Sequence, residues 1–551
     1  MNEATTNPTL RPLLELAYGN SEFRALADAL AGSARDAEPV ASHMSPGIRP
    51  YLLAALLESV EALGDRPALL ATADDRSARD LAVAIGAYLA PRRVRYYPSR
   101  GTGFESHLAP PPHLVGLRIA ALDSLTAGPA DGLDGAAPVV VASAIAMAEM
   151  VPDEGLRPGG LTIHRGEEVG LDDLAELLVG CGYEFADQVE DRGQFAVRGG
   201  ILDVFGATED HATRLDFFGD EVESMRRFST FTQRSLGETE LIEIAPAAEV
   251  ASSFLEGDAL PVERFRPFLD LIPADTIVVN AAADEIGSAL ADHRSDVEAA
   301  THGGEDLRLY TDAATPLAER SALTVTSEDS GQAHSFRAAA PVSAARTIGE
   351  AEGELSRQLR AGYVTVVPFE HHGEAERARY NLDRLDATFL GATVPPEKPV
   401  LYFTEAPVSD GFVSPDLKLV VFPYRRLVHR RRDAAPAPAR GPLAAFGELR
   451  VGDLVVHEDH GIARFTGFDT KTVAGITRDY LALAYRGEDR VFVPADQLAK
   501  ISNYVGASGA DPELSALGGK RWAGVKARAE SSARALAGEL LNLYAERQTR
   551  R

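Results

Sequence analysis

The sequence predicts an α/β multidomain protein: a split α/β domain with an inserted α+β module, a further α/β domain, a small Tudor- or SH3-like β-barrel and a C-terminal helix. Three observations predict it. Apolar runs of strand length are followed by amphipathic helical patterns, the signature of a sheet covered by helices. One such layer is interrupted between 155 and 235 by stretches that alternate apolar and polar residues instead. Residues 450 to 494 then alternate with a period of two between glycine turns.

The first layer opens with the strand Pro67-Ala-Leu-Leu-Ala-Thr72 and a helix from about Arg76, on which Leu81, Ala84, Ile85 and Tyr88 recur at helical spacing. Pro138-Val-Val-Val-Ala-Ser143 with Ala144 to Met150 repeats the unit, and Thr276-Ile-Val-Val-Asn280 supplies a like strand after the interruption. One domain, 1–154 with 236–335, is therefore split around another, 155–235. In the insertion Leu171, Leu174, Leu177 and Leu178 mark a helix, while Gln194 to Phe205 and Arg214 to Phe218 alternate as antiparallel strands do. A third α/β unit spans 336–432, with helices around Ala351–Arg360 and Glu374–Leu385 and strands at Tyr363–Val367, Val400–Phe403 and Leu417–Phe422. The Ala/Pro-rich 433–446 is a stiff linker. The 447–515 segment holds four or five short strands, at Leu454–Val456, Ala463–Phe465, Leu481–Tyr485 and Val491–Val493. A barrel of that size has no room for an enclosed active site, and its edges invite strand addition. Within 516–551, Trp522, Val525, Ala529, Ala533, Leu536, Leu540, Leu543 and Tyr544 form the stripe of a long helix.

At 551 residues the chain has room for roughly three to five cores, because a single core stops growing well before this size. Apolar residues make up 45% and charged residues 25%, and no apolar stretch approaches the roughly 20 residues of a membrane helix. Met1 to Pro8 lack the basic-then-apolar pattern of a secretory leader, so a cytoplasmic location, without membrane attachment, is expected. Cys181 is the only cysteine, which excludes an internal disulfide and a cysteine-based zinc site; its apolar setting reads as a core thiol. A formal net charge of −27 repels nucleic acid and anionic membrane broadly. The partners to expect are proteins with basic patches.

A phosphate cradle needs G-x-x-x-x-G-K-[ST], but Gly518-Gly519-Lys520 is followed by Arg521 and has Leu514 in place of the first glycine, as a helix-entry turn would. After Thr72, Ala73-Asp74-Asp75 put two carboxylates where a nucleotide phosphate would sit, and they would repel it. His457-Glu-Asp-His460 has ligand chemistry, yet on a strand its two histidines point to opposite faces. His371-His372 lacks a third ligand nearby. Neither G-x-S-x-G nor H-E-x-x-H occurs. No catalytic, metal or cofactor residue is therefore expected. The basic run Arg425 to Arg432 reads as a solvated or intramolecular segment, with a nucleic-acid contact as the lesser alternative. Arg198, Arg214 and Asp216 converge on one sheet face by the period of two, which suits a protein interface or internal salt bridges equally.

Gly452-Asp453, Val455-Val456-His457, His460-Gly461, Gly475-Ile476, Asp479-Tyr480-Leu481 and Val493-Pro494 resemble the RNA-polymerase-interacting domain that bacterial transcription-repair-coupling factors (Mfd) share with the CarD regulators. Asp191 to Phe205 and Arg214 to Phe228 resemble the excision-repair protein UvrB and, equally, the matching module of the coupling factors. With the interrupted α/β layer, which is UvrB-like, the chain resembles the N-terminal part of a coupling factor. That resemblance implies a docking role in transcription-coupled DNA repair: the barrel binds the β subunit of stalled RNA polymerase, and the inserted module recruits UvrA to the lesion. It also implies that this chain is a fragment and no enzyme by itself, lying before an ATP-driven translocase on double-stranded DNA. ATP and Mg would belong to that motor, and a monomer is expected. The family's polymerase-contacting position falls on Lys471, and a second falls near Phe492. Thr470, Thr472 and Val473 would flank Lys471 in strand addition; the other reading is an exposed hairpin with a gatekeeping lysine. The family's UvrA contacts fall on Arg198, Arg214 and Asp216. Phe185, beside Glu184, stands where relatives carry a basic residue, making part of that contact apolar. Two further readings compete: a UvrB-like damage-loading ATPase, opposed by the missing phosphate loop, and a stand-alone CarD-type regulator, which leaves everything before the barrel idle.

Overall fold

The computed structural model describes residues 10–32, 38–59, 63, 66–101, 110–126, 136–230, 233–254, 261–301, 308–391, 395–428, 454–457, 461–473, 476–486, 490–494, 501–503 and 514–515. The chain divides into two compact units, 1–431 and 432–551. The expected linker, the 516–551 helix, Gly518-Gly519-Lys520, His460 and Arg430 to Arg432 lie outside the described residues.

In the first unit, β1 (Val40–Met44), β2 (Ala68–Thr72), β3 (Val94–Tyr97) and β4 (Val139–Ser143) begin a parallel layer, which the chain leaves at β5 (Val151–Pro152). An excursion follows through β6 (Leu161–His164), β7 (Glu184–Phe185), β8 (Gln194–Arg198), β9 (Ile201–Val204), β10 (Ala212–Phe218), β11 (Glu221–Phe228), β12 (Ser235–Glu238), β13 (Leu241–Ile244) and β14 (Phe265–Arg266). The layer resumes with β15 (Ile277–Asn280), β16 (Ser321–Thr326) and β17 (His334–Phe336), giving the order β17-β1-β16-β15-β2-β4-β3. Every pairing in it is parallel. β2 and β4 are buried along their whole length, because a parallel sheet is covered on both faces.

The inserted module is a six-stranded sheet, β12-β11-β10-β9-β8-β7, antiparallel except for the short β7–β8 pair. The helix Leu171–Gly180 covers one face of it, sending Leu174 and Leu178 among Phe195, Leu202, Leu215, Val222 and Met225. β13 pairs with β6 across some eighty residues of chain, which carries the module past 235 to Ile244. Alternation within β13 gives no hint of that long-range partner. β5 and β14 pair below it as the neck of the insertion.

A third layer holds β18 (Val364–Phe369), β19 (Ala387–Phe389), β20 (Leu401–Glu405), β21 (Phe412–Ser414) and β22 (Leu419–Val421), in the order β19-β20-β18-β22-β21 and parallel except for β21. Its second helix runs from His372 to Tyr380 and not on to Leu385. The cause is Glu352, buried on the neighbouring helix, whose Oε1 accepts from the backbone N–H groups of Asp383 and Arg384 at 2.8 Å and so holds that stretch as a turn. The helix Arg49–Glu58 is apolar all round and buried from Tyr51 to Leu57, as a helix must be that packs on two sides. Its residues share one core with β2 and β4 of the first layer and with Val366, Phe412, Leu419 and Val421 of the third. The Tyr51 ring lies 5.5 Å from that of Phe412, tilted to it, and meets the Tyr88 ring edge-on at 5.6 Å. A Cβ on Gly47 would meet the Gly411 carbonyl oxygen at 2.6 Å, so the two layers touch backbone to backbone there.

The second unit contains β23 (Leu454–His457), β24 (Gly461–Val473), β25 (Ile476–Ala484), β26 (Arg490–Pro494) and β27 (Ile501–Asn503), in the antiparallel order β26-β25-β24-β23-β27. Val455, Ala463, Phe465, Leu483, Tyr485, Val493 and Ile501 form its core, as the period of two requires. No helix among the described residues is long and apolar enough to cross a membrane.

Because the first and third layers share the Arg49–Glu58 helix, Leu56→Ala should cost about 2–5 kcal/mol and lower one common transition. Differential scanning calorimetry checks this; two separable transitions for the layers, only one of them shifted, would contradict the shared core.

Candidate protein-docking sites

On the inserted sheet, strand alternation sends Leu202, Val204, Leu215 and Met225 into the core and turns Arg198, Asp203, Arg214, Asp216, Ser224 and Arg226 to the opposite face. Cross-strand register then pairs them. Arg214 stands opposite Asp203 on one side and Arg226 on the other, and Asp216 stands opposite Ser224. The Arg214 Nε and Nη2 donate to the two Asp203 carboxylate oxygens at 2.6 and 2.7 Å, a fork that is strong because both groups are charged. This bond, against some loss of hydration, raises the pKa of Arg214 further. The guanidinium lies 4.8 Å from the Phe228 ring centroid. Asp216 accepts from Ser224 Oγ at 2.8 Å and is bridged by Arg226 at 2.9 Å. Arg198, exposed at the strand end, donates from Nε to the Asp187 carbonyl at 3.2 Å.

The structure thus brings Arg198, Arg214 and Asp216 to one face, and gives each its own partner rather than each other. Asp203, Ser224, Arg226 and Phe228 were not singled out from the sequence. The one signal for Asp203 was an acid inside the apolar Ile201-Leu-Asp-Val204; its partner is set by register, which sequence spacing does not show. Phe185 is not brought to this face. It pairs in register with Phe195, their rings 5.6 Å apart, so it follows Phe195 to the helix-covered side, where it remains 62% exposed. Phe218 was overlooked. It follows the inward Phe217 at the β10–β11 turn, where alternation points it to the charged face, and it is 77% exposed.

At the carboxyl ends of β2, β3 and β4 lies the crevice where open parallel sheets bind ligands. The helix Asp75–Leu89 starts there with Asp74 as N-cap, accepting from the Ser77 N–H at 2.7 Å while the Ser77 hydroxyl reciprocates. Asp75 Oδ1 accepts from the Ser99 N–H at 3.0 Å and the Ser143 hydroxyl at 2.6 Å, and its Oδ2 accepts from the Ser99 hydroxyl. The Ser99 N–H and the Ser99 and Ser143 hydroxyls are thereby directed to this internal carboxylate.

Beside it is a buried ion network. Arg118, 2% exposed, donates to Glu149 and Glu249 and to the Pro98 carbonyl, each at 2.7 Å, with its guanidinium 4.6 Å from the Tyr97 ring centroid. Arg100 donates to the second Glu249 oxygen at 2.7 Å, and its backbone N–H reaches Glu149. Burial pushes the Glu149 carboxyl up in pKa, whereas for Glu249 the two guanidiniums outweigh burial and hold it down. Glu249 lies just past β13, so this network fastens the exit of the module to its host layer.

In the second unit, β23 pairs with β24 only as far as Arg464, and from there to Val473 β24 has β25 alone beside it among the described residues. Thr470, Lys471, Thr472 and Val473 stand opposite Asp479, Arg478, Thr477 and Ile476 on this ribbon, and Phe492 lies on β26 opposite Ala482. Their side chains lie outside the described residues. His457 is buried on β23. Among the described residues no group of three or more His, Cys, Asp and Glu could hold a metal ion.

The first unit thus carries a sheet face of paired charges, and the second a ribbon on which β24 beyond Arg464 pairs with β25 alone among the described residues. Residues 161–250 match the UvrB interaction domain, and residues 449–505 match the CarD-like/TRCF RID domain. The chain is 30% identical to the transcription-repair-coupling factor of Mycobacterium tuberculosis over 88% of its own length and 46% of the relative's. To those of Bacillus subtilis and Staphylococcus aureus it is 26% identical, over 93% and 92% of its length and 50% and 49% of theirs. The chain is thus similar to transcription-repair-coupling factors, and it spans about half the length of the curated relatives it matches.

Glu249→Ala would leave Arg100 and Arg118 buried beside a single carboxylate, which should cost about 3–5 kcal/mol. Denaturant unfolding measures this, and a loss below roughly 1 kcal/mol, the range of a surface pair, would show that the network does not fasten the module.

Proposed function

We propose that this chain serves transcription-coupled DNA repair, its second unit binding RNA polymerase stalled at a lesion and its inserted module recruiting UvrA. The carrying observation is the presence, in one chain, of a UvrB interaction domain at 161–250 and a CarD-like/TRCF RID domain at 449–505. The second unit works as a Tudor- or SH3-like barrel whose β24 edge beyond Arg464 adds to a strand of the polymerase β subunit, so that backbone bonds supply affinity and Lys471 supplies choice. Thr470, Thr472 and Val473 flank that contact and Phe492 makes a second one. UvrA meets the charged face at Arg198, Arg214 and Asp216, with Phe185 at the sheet edge as an apolar flank. In whole coupling factors an ATP-driven motor on double-stranded DNA displaces the polymerase; ATP and Mg belong to that step, and this chain supplies docking, as a cytoplasmic monomer. Asp75, filling the anion position of the parallel layer, speaks against a UvrB-like ATPase. A stand-alone regulator would have no use for the first unit.

The test is retention of purified RNA polymerase and purified UvrA on the immobilised chain. Lys471→Glu should lower polymerase retention roughly tenfold and leave UvrA unchanged. Arg198→Ala with Arg214→Ala should do the reverse. Equal polymerase retention by wild type and Lys471→Glu would refute the barrel assignment, and unchanged UvrA affinity of the double variant would refute the module's.

A further inference from the structure

We infer that Asp203 and Phe228 are positioning residues that hold Arg214 in the one orientation a partner can use, an inference that rests on the charged face being the UvrA site. Asp203 is 5% exposed and lies between Leu202 and Val204, both turned into the core. A docking protein cannot reach it directly. Its two oxygens nevertheless take the Arg214 Nε and Nη2 at 2.6 and 2.7 Å, which fixes the guanidinium in its own plane. Phe228 fixes the plane itself, with its ring centroid 4.8 Å from the guanidinium carbon. Ala196 and Ala212 pack beside that ring, and Ala196 and Ala212 stand opposite Asp203 and Phe228 in register, so the floor under the arginine is low and firm.

This use of Nε and Nη2 leaves Nη1 as the one guanidinium nitrogen with no hydrogen-bond partner among the described residues, on a side chain that is 20% exposed. A free arginine loses rotamer freedom when a partner immobilises it; Arg214 has lost that freedom already. Its remaining edge suits a carboxylate or carbonyl oxygen on the partner. Arg198, exposed and held by one backbone carbonyl, has no such support and makes the adaptable contact of the pair.

Equilibrium binding of purified UvrA to four proteins tests this: wild type, Asp203→Asn, Arg214→Ala and the double variant. Asp203→Asn should weaken binding roughly tenfold in the presence of Arg214 and have no further effect in the Arg214→Ala background, the signature of coupled residues. Equal weakening in both backgrounds would mean that Asp203 supports the sheet in general, and overturns the positioning role alone. Wild-type affinity in Arg214→Ala would instead remove the UvrA reading of this face, and the inference with it. If Asp203→Asn does not fold, Phe228→Leu, which keeps an apolar residue under the guanidinium, should show the same dependence on Arg214.

Discussion

Two arginines and two glutamates, closed off from water at the carboxyl ends of β3 and β4, hold the first unit in its working form. Arg100 and Arg118 come from the host layer, Glu149 follows β4, and Glu249 arrives at the end of the inserted module. Charges so deeply buried are tolerable only when each has its partner, which makes the arrangement all-or-none. The inserted sheet is consequently presented from a fixed base. Its neck adds the β5–β14 pair, in which β5 is buried, and the Arg264–Asp153 bridge at 2.7 Å, a bridge that lies nearer to solvent.

The same region joins the strand ends of the parallel layer to one another. Asp75 gathers the Ser99 and Ser143 donors across three strand ends, and the Arg/Glu network fills the ground beside it. The Arg49–Glu58 helix does the equivalent for the third layer: being apolar on every side, it can be buried only between two sheets, and so makes one body of what the sequence pattern divides near 336.

The docking faces divide differently between local and distant causes. Alternation along Gln194–Arg198 and Arg214–Phe218 suffices to put Arg198, Arg214 and Asp216 on one face. It does not say that Arg214 is locked by Asp203 or that Asp216 belongs to Ser224 and Arg226, because those contacts depend on register between strands. Phe185 shows the limit most clearly: one parallel pairing with Phe195 decides which side its ring takes, and no count along the chain contains that pairing.

By itself the sequence determined the central strands β2, β4 and β15 of the first layer, its interruption, the antiparallel character of the insertion, and the acids that occupy the β2 turn. These follow from periodicity and local turn chemistry, which act over a few residues. Only the tertiary structure decided that the module reaches Ile244, that the third layer shares a helix with the first, that the Glu374 helix stops at Tyr380, and that Phe185 turns away from the charged face. Each of those depends on a contact between residues far apart in sequence, where geometry is fixed by packing and strand register rather than by spacing along the chain.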